Sequence, residues 1–110
     1  MQLNFYTLGG YKLASVSTAD IKEGRVSKVE NNYYLDPSLV DMTKMKLVGK
    51  GKNYYCPMKK GDADYYDFDN GKEKISELAW VYKKVANTVY SQIDGRIAFW
   101  EGKFRTEHIE

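Results

Sequence analysis

Apolar residues in the first part of the chain come in short runs broken by turn chemistry. In "LNFYTLGGYKLASV", residues 3–16, Gly9-Gly10 meets the demand of a two-residue hairpin turn for positive φ. Pairing outward from that turn sets Leu8 against Tyr11, Tyr6 against Leu13, Phe5 against Ala14 and Leu3 against Val16. Both faces of the hairpin carry apolar residues, so each face needs a cover. A second hairpin is predicted in "GRVSKVENNYYLD", turning at Asn31-Asn32 because asparagine tolerates the left-handed region. Asp36-Pro37 stops that strand, and "DPSLVDM" predicts one helical turn with Pro37 at its first position. "KMKLVGKGKNYYCP" reads as a further strand pair around "GKGK".

From Ile75 the period changes. At a helical advance of about 100° per residue, Ile75, Leu78, Tyr82, Val85, Ile93 and Ile97 share one side, which continues to Trp100 and Phe104. This pattern predicts an amphipathic helix over residues 70–106, with Asn70 as N-cap and Glu73 closing a capping box. The fold class expected is therefore α+β in a single domain, residues 1–110. Residues 1–69 supply a small curled antiparallel sheet of roughly four to six strands, and one long C-terminal amphipathic helix packs on it.

Such a helix would be about 50 Å long at 1.5 Å per residue, whereas a domain of this size is roughly 34 Å across. Either the helix kinks at Gly95 or its end projects into a homodimer. The second case places Ile93, Ile97, Trp100 and Phe104 at the dimer interface. Trp80, Val81 and Phe99 fall off the main stripe. They are either covered by the hairpins or offered to a partner.

Composition narrows the function more than it defines it. A hydrophobic share of 43% with 29% charged residues is that of a folded domain rather than a disordered one. The net charge of +2 is too small to imply a polyanion partner by itself. A lone cysteine, Cys56, permits no internal disulfide and fits a reducing, cytoplasmic setting. There is no apolar run long enough for a membrane span and no signal-peptide pattern. The Lys-, Asn- and Tyr-rich make-up has the general style of chains carried by phages and other mobile elements.

Candidate chemistry is sparse. The four aspartates of residues 62–69 invite comparison with a calcium loop, but no register fits. Starting at Asp62 puts Tyr66 and Asp67 where a ligand and a glycine are needed, and starting at Asp67 puts Leu78 where the closing glutamate is needed. Neither a metal nor a cofactor is expected. His108 lies near the C-terminus, where chains fray, and Cys56 lacks an activating histidine, so catalysis is not expected either. Between Lys44 and Lys60 stand six lysines and no acid: Lys44, Lys46, Lys50, Lys52, Lys59 and Lys60, interleaved with Tyr54 and Tyr55. They suit either a solvated sheet edge or phosphate contacts with base stacking.

Two functions follow. The first is a non-enzymatic protein-binding module or inhibitor acting by surface occlusion, anchored by Trp80, Val81, Phe99, Tyr54 and Tyr55. The alternative is a nucleic-acid-binding accessory protein that uses the lysine segment.

Overall fold

The computed structural model describes residues 1–48, 54–56, 61–83 and 85–110, with the backbone alone at residues 54–56, 61, 62 and 89. The architecture is two antiparallel sheets. Gln2–Thr7 (β1) and Lys12–Ser17 (β2) form the first hairpin, and the five-residue helix Thr18–Lys22 (α1) follows. Val26–Val29 (β3) and Asn32–Leu35 (β4) make the second hairpin. After a 3-10 turn at Pro37–Leu39 come Met45–Leu47 (β5), Tyr54–Cys56 (β6), Gly61–Asp69 (β7) and Lys74–Tyr82 (β8). A second 3-10 turn, Thr88–Ile93, leads to Ile97–Phe99 (β9) and Phe104–Ile109 (β10). The smaller sheet runs β10-β1-β2; the larger runs β3-β4-β9-β8-β7-β5, with β6 also paired to β7.

The long C-terminal helix, and with it the α+β class, is overturned: residues 70–106 hold strands β8 and β9, the start of β10 and the turns between them. The longest principal extent is 35 Å, so a 50 Å rod has no place. Among the described residues no helix exceeds five residues outside the 3-10 turns, and none is long and apolar enough to cross a membrane.

Three features imitated a helix. The pairing of β7 with β8 slips between Tyr66 and Phe68, and Glu77 takes φ 51°. This bulge sends Ile75 and Leu78, three apart, into one apolar cluster, the spacing expected of a helix face. Next, both faces of β8 and β9 carry apolar side chains that join a cluster, so the apolar run loses the period of two that marks a half-buried strand. Finally, Asp94-Gly95 is a turn between elements rather than a helix defect. Gly95 sits at φ 71°, and its N–H reaches the Tyr82 carbonyl at 2.7 Å.

The cap signal was also real but served another element. Asn70 Oδ1 accepts the N–H groups of Lys72 (3.0 Å) and Glu73 (2.7 Å), as an N-cap would, inside the β7–β8 hairpin turn. Asp69 accepts from the Gly71 N–H, and Asp67 accepts the bulge N–H of Glu77 at 2.7 Å. Asp67 and Asp69 thus serve the hairpin, while Asp64 pairs with Lys83 at 3.3 Å.

The N-terminal expectations fare better. Leu3 pairs Val16 and Phe5 pairs Ala14, but a bulge then sets Tyr6 against Lys12 rather than Leu13, and Thr7 instead of Leu8 bonds Tyr11, through its N–H to the Tyr11 carbonyl at 2.8 Å. The second hairpin turns one residue earlier than expected, at Glu30 and Asn31, both at positive φ. Pro37 opens the expected helical turn, with Asp36 capping it through the Ser38 N–H. β5 and β6 are strands as expected, yet each pairs β7 rather than the other; "GKGK" lies outside the described residues. His108 does not fray but belongs to β10, opposite Leu3.

The core lies between the sheets. Phe5, Leu13 and Val16 from the smaller sheet meet Leu35, Phe68, Leu78, Ile97 and Phe99 from the larger. Phe5 is central, with the rings of Tyr33, Phe99 and Phe104 at centroid distances of 5.7–5.9 Å. A carboxylate ties the sheets at one end. Glu73 accepts from the buried Thr7 hydroxyl (2.6 Å) and the Gly9 N–H (3.1 Å). A Cβ at Gly9 would stand 2.7 Å from the Glu73 oxygen, so a side chain there would displace the carboxylate from this tie.

Candidate functional site

Alternation along β8 sends neighbouring residues to opposite sides of the larger sheet. Ala79 and Val81 join the core between the sheets, while Trp80 and Tyr82 face outward into a second cluster with Tyr34, Ala63 and Ala98. The segment after β8 folds over part of this outer side. Val85 and Ile93 are buried there, and Asp94 Oδ1 accepts the Val85 N–H at 2.9 Å. The rest is left concave.

That concavity, about 510 Å³, is walled by five aromatic rings: Tyr34, Tyr65, Trp80, Tyr82 and Trp100. Glu30, Asn32 and Glu101 complete its lining. Tyr65 comes from β7, opposite Trp80, and Ala98 faces Trp80 from the other neighbour, β9. A small residue beside the indole leaves the surface hollow. Trp100 follows β9 directly, held by its N–H to the Leu78 carbonyl at 2.7 Å.

Four of the rings form an unbroken edge-to-face chain. Tyr65 meets Trp100 at 6.0 Å and 66°, Trp100 meets Trp80 at 5.5 Å and 77°, and Trp80 meets Tyr34 at 6.2 Å and 81°. Each such contact contributes about 0.5–1.5 kcal/mol beyond burial. The Trp80 indole N–H also donates to the Tyr34 hydroxyl at 3.3 Å, which fixes the ring's orientation. Trp100 remains 43% exposed, the chain's largest exposed apolar side chain among the described residues.

The structure redistributes the sequence-based candidates. Trp80, read as a partner anchor, and Trp100, read as a dimer residue, are brought together. Val81 and Phe99 turn the other way, into the core, where Phe99 is buried. Of the four expected dimer residues, Ile93 and Ile97 are buried within the chain, and Phe104 packs against Phe5. The projecting helix that called for a dimer is absent. The side chains of Tyr54 and Tyr55 lie outside the described residues, as do Lys50, Lys52, Lys59 and Lys60. Lys44 and Lys46 are exposed at β5 and its approach, where Lys46 pairs Asp67.

Tyr34, Tyr65, Tyr82, Glu30 and Glu101 were missed. The available signal was the alternation in "ADYYDF" and "LAWVY", which sends Tyr65, Trp80 and Tyr82 to one side once both runs are read as paired strands.

A second carboxylate site is structural in character. Asp41 accepts from the Tyr11 hydroxyl at 2.6 Å and from the Thr43 hydroxyl at 2.6 Å. The Thr43 and Tyr11 hydrogen bonds hold the Asp41 carboxyl below its usual range, and the bond to Asp41 raises the Tyr11 phenol. These contacts close the loop after the bridge between Ala14 and Val40. No group of three or more metal-ligating side chains occurs among the described residues.

No curated protein matches the chain. A family model does, over residues 18–110, a span from α1 to β10 that contains every ring of the concavity. The chain belongs to the family described as a domain of unknown function, DUF427.

Proposed function

We propose that this chain is a small protein-binding domain of the cytoplasm that acts by occupying a partner's surface rather than by catalysis. The aromatic concavity of the larger sheet carries this reading. Tryptophan and tyrosine dominate the energetics of protein interfaces because they bury large areas at low conformational cost and keep a polar handle. Here both tryptophans of the chain and three of its ten tyrosines wall one hollow. Its rim carries two glutamates, and no lysine or arginine lines it among the described residues, which favours a protein over a phosphate backbone as partner. A single cysteine supports the reducing compartment.

Photo-cross-linking in the native host tests the reading. A p-benzoylphenylalanine placed at Trp100 should give one dominant protein adduct that resists nuclease and is lost when Trp80→Ala is added. No adduct from position 100, or an adduct indifferent to Trp80→Ala, contradicts it. A nuclease-sensitive adduct, stronger from Lys46 than from position 100, would favour the nucleic-acid alternative.

A further inference from the structure

We infer that the aromatic concavity recognises an alkylammonium group, lysine or its methylated forms, on the side chain of a partner protein; this rests on the binding role proposed above and specifies its ligand. The first ground is charge. The chain carries a net +2, yet Glu101 brings a carboxylate to this lining. Aromatic rings add their own negative faces, and rings with carboxylates at the rim suit a cation.

The chain's own cations give a second ground, because they already collect on aromatic rings. Arg105 lies 4.7 Å from the Tyr6 ring centroid and Lys28 lies 5.3 Å from that of Tyr33. Outside the lining but on one of its rings, Lys103 Nζ stands 5.5 Å from the Trp100 centroid, tethered by a 2.6 Å hydrogen bond to the Ser76 carbonyl. Trp100 is thus a ring that accepts an ammonium in this structure.

Ring geometry selects the kind of cation. A guanidinium is flat and is held best between parallel faces. Successive rings here meet at 66°, 77° and 81°, so no two successive rings offer parallel faces. A nearly spherical ammonium touches rings at any mutual angle. The source follows from the surroundings: the hollow shares Asn32 and Glu101 with a second one of about 300 Å³ that includes Tyr33 and Phe104. An extended peptide can cross that shared rim, whereas a free ammonium would leave it unused.

Both tryptophans line the hollow, so intrinsic fluorescence reads its occupancy directly. Three probes are titrated into the full chain: a Gly/Ser peptide with one trimethyl-lysine, the same peptide with a neutral tert-butyl isostere, and free choline. The trimethyl-lysine peptide should bind saturably and about tenfold more tightly than its isostere, the size of a desolvated cation–π contact. Glu101→Gln should weaken it about threefold, and Lys103→Gln should tighten it about twofold by removing the resident cation. Trp100→Leu, at an exposed site and checked for folding by circular dichroism, should abolish it.

An isostere that binds as tightly as the trimethyl-lysine peptide overturns the cation assignment and leaves the binding hollow intact. Choline as tight as the peptide overturns the side-chain source. If no probe binds while the cross-link from position 100 persists, the alkylammonium proposal fails alone. If that cross-link is lost as well, the binding reading fails with it.

Discussion

Val81 and Trp80 are adjacent in β8, yet they serve opposite kinds of surface. On the side of Val81, the smaller sheet closes over the larger one, and Phe5 stacks among Tyr33, Phe99 and Phe104. On the side of Trp80, no second sheet arrives among the described residues; a loop covers part, Tyr34 and Tyr82 are buried, and Tyr65, Trp80 and Trp100 stay partly open. The inner rings are mostly phenylalanine, and the outer ones all carry an O–H or N–H. This contrast separates the stability of the molecule from its recognition. A strand can supply both because consecutive side chains point to different solvents.

The largest break in the comparison comes from matched truncations. Phe5→Ala should lose about 3–5 kcal/mol of stability, the usual cost of removing a buried aromatic, and leave the chain unfolded or nearly so at 37 °C. Trp100→Ala should cost less, about 1–3 kcal/mol, because its ring is already partly in water and gives up two edge-to-face contacts. Urea denaturation of the two variants measures both. Equal losses would mean that the outer rings are as structural as the inner ones.

A smaller effect is expected at the tie between the sheets. Glu73→Ala takes the acceptor from the buried Thr7 O–H, whose oxygen still accepts the Tyr11 N–H at 3.0 Å, and should cost about 1–3 kcal/mol. Gly9→Ala should also destabilise, since its Cβ would meet the Glu73 carboxylate at 2.7 Å. In a Glu73→Ala background the Gly9→Ala penalty should shrink. A double-mutant cycle by thermal melting reads that coupling.

Much of this was legible in the sequence wherever local chemistry settles local structure. The Gly9-Gly10 hairpin, the Asp36-Pro37 turn and the pairs Leu3–Val16 and Phe5–Ala14 depend on residues close in the chain. The C-terminal third was not legible because its pattern is set by tertiary cover. A bulge at Glu77 shifts the alternation, and burial on both faces of β8 and β9 erases it. The β-branched residues Ile75, Val81 and Ile97, together with the turns at Asp94-Gly95 and Glu101-Gly102, already argued for strands. The concavity was invisible for the same reason. Its rings come from β4, β7, β8 and the residue after β9, and only the sheet order β4-β9-β8-β7 brings them together.

Acid should act on the loops and termini of elements rather than on the hollow. Hydrogen bonds from Ser17 to Asp20, Ser38 to Asp36, and Thr43 and Tyr11 to Asp41 hold these three carboxyls below their usual range. Because the folded-state values are lowered, their stabilisation is present above the unfolded carboxylate range, about pH 4, and is lost as pH falls through the lowered values. The melting temperature should therefore hold between pH 5 and 7 and drop below about pH 4, with a shallower drop in Asp41→Asn. None of the three lines the aromatic concavity. A steep loss above pH 5 would mean that some other group governs stability.

The most direct measurement is a nitrogen–proton correlation spectrum followed through titration with the trimethyl-lysine peptide. The chain has two indole N–H groups, Trp80 and Trp100, and both belong to the hollow. The outer-face account predicts that both indole signals shift together to a common saturation, while the amides of Leu13 and Val16 in the smaller sheet stay in place. Saturating shifts in the smaller sheet or at Lys44 and Lys46, with both indoles unmoved, would contradict it.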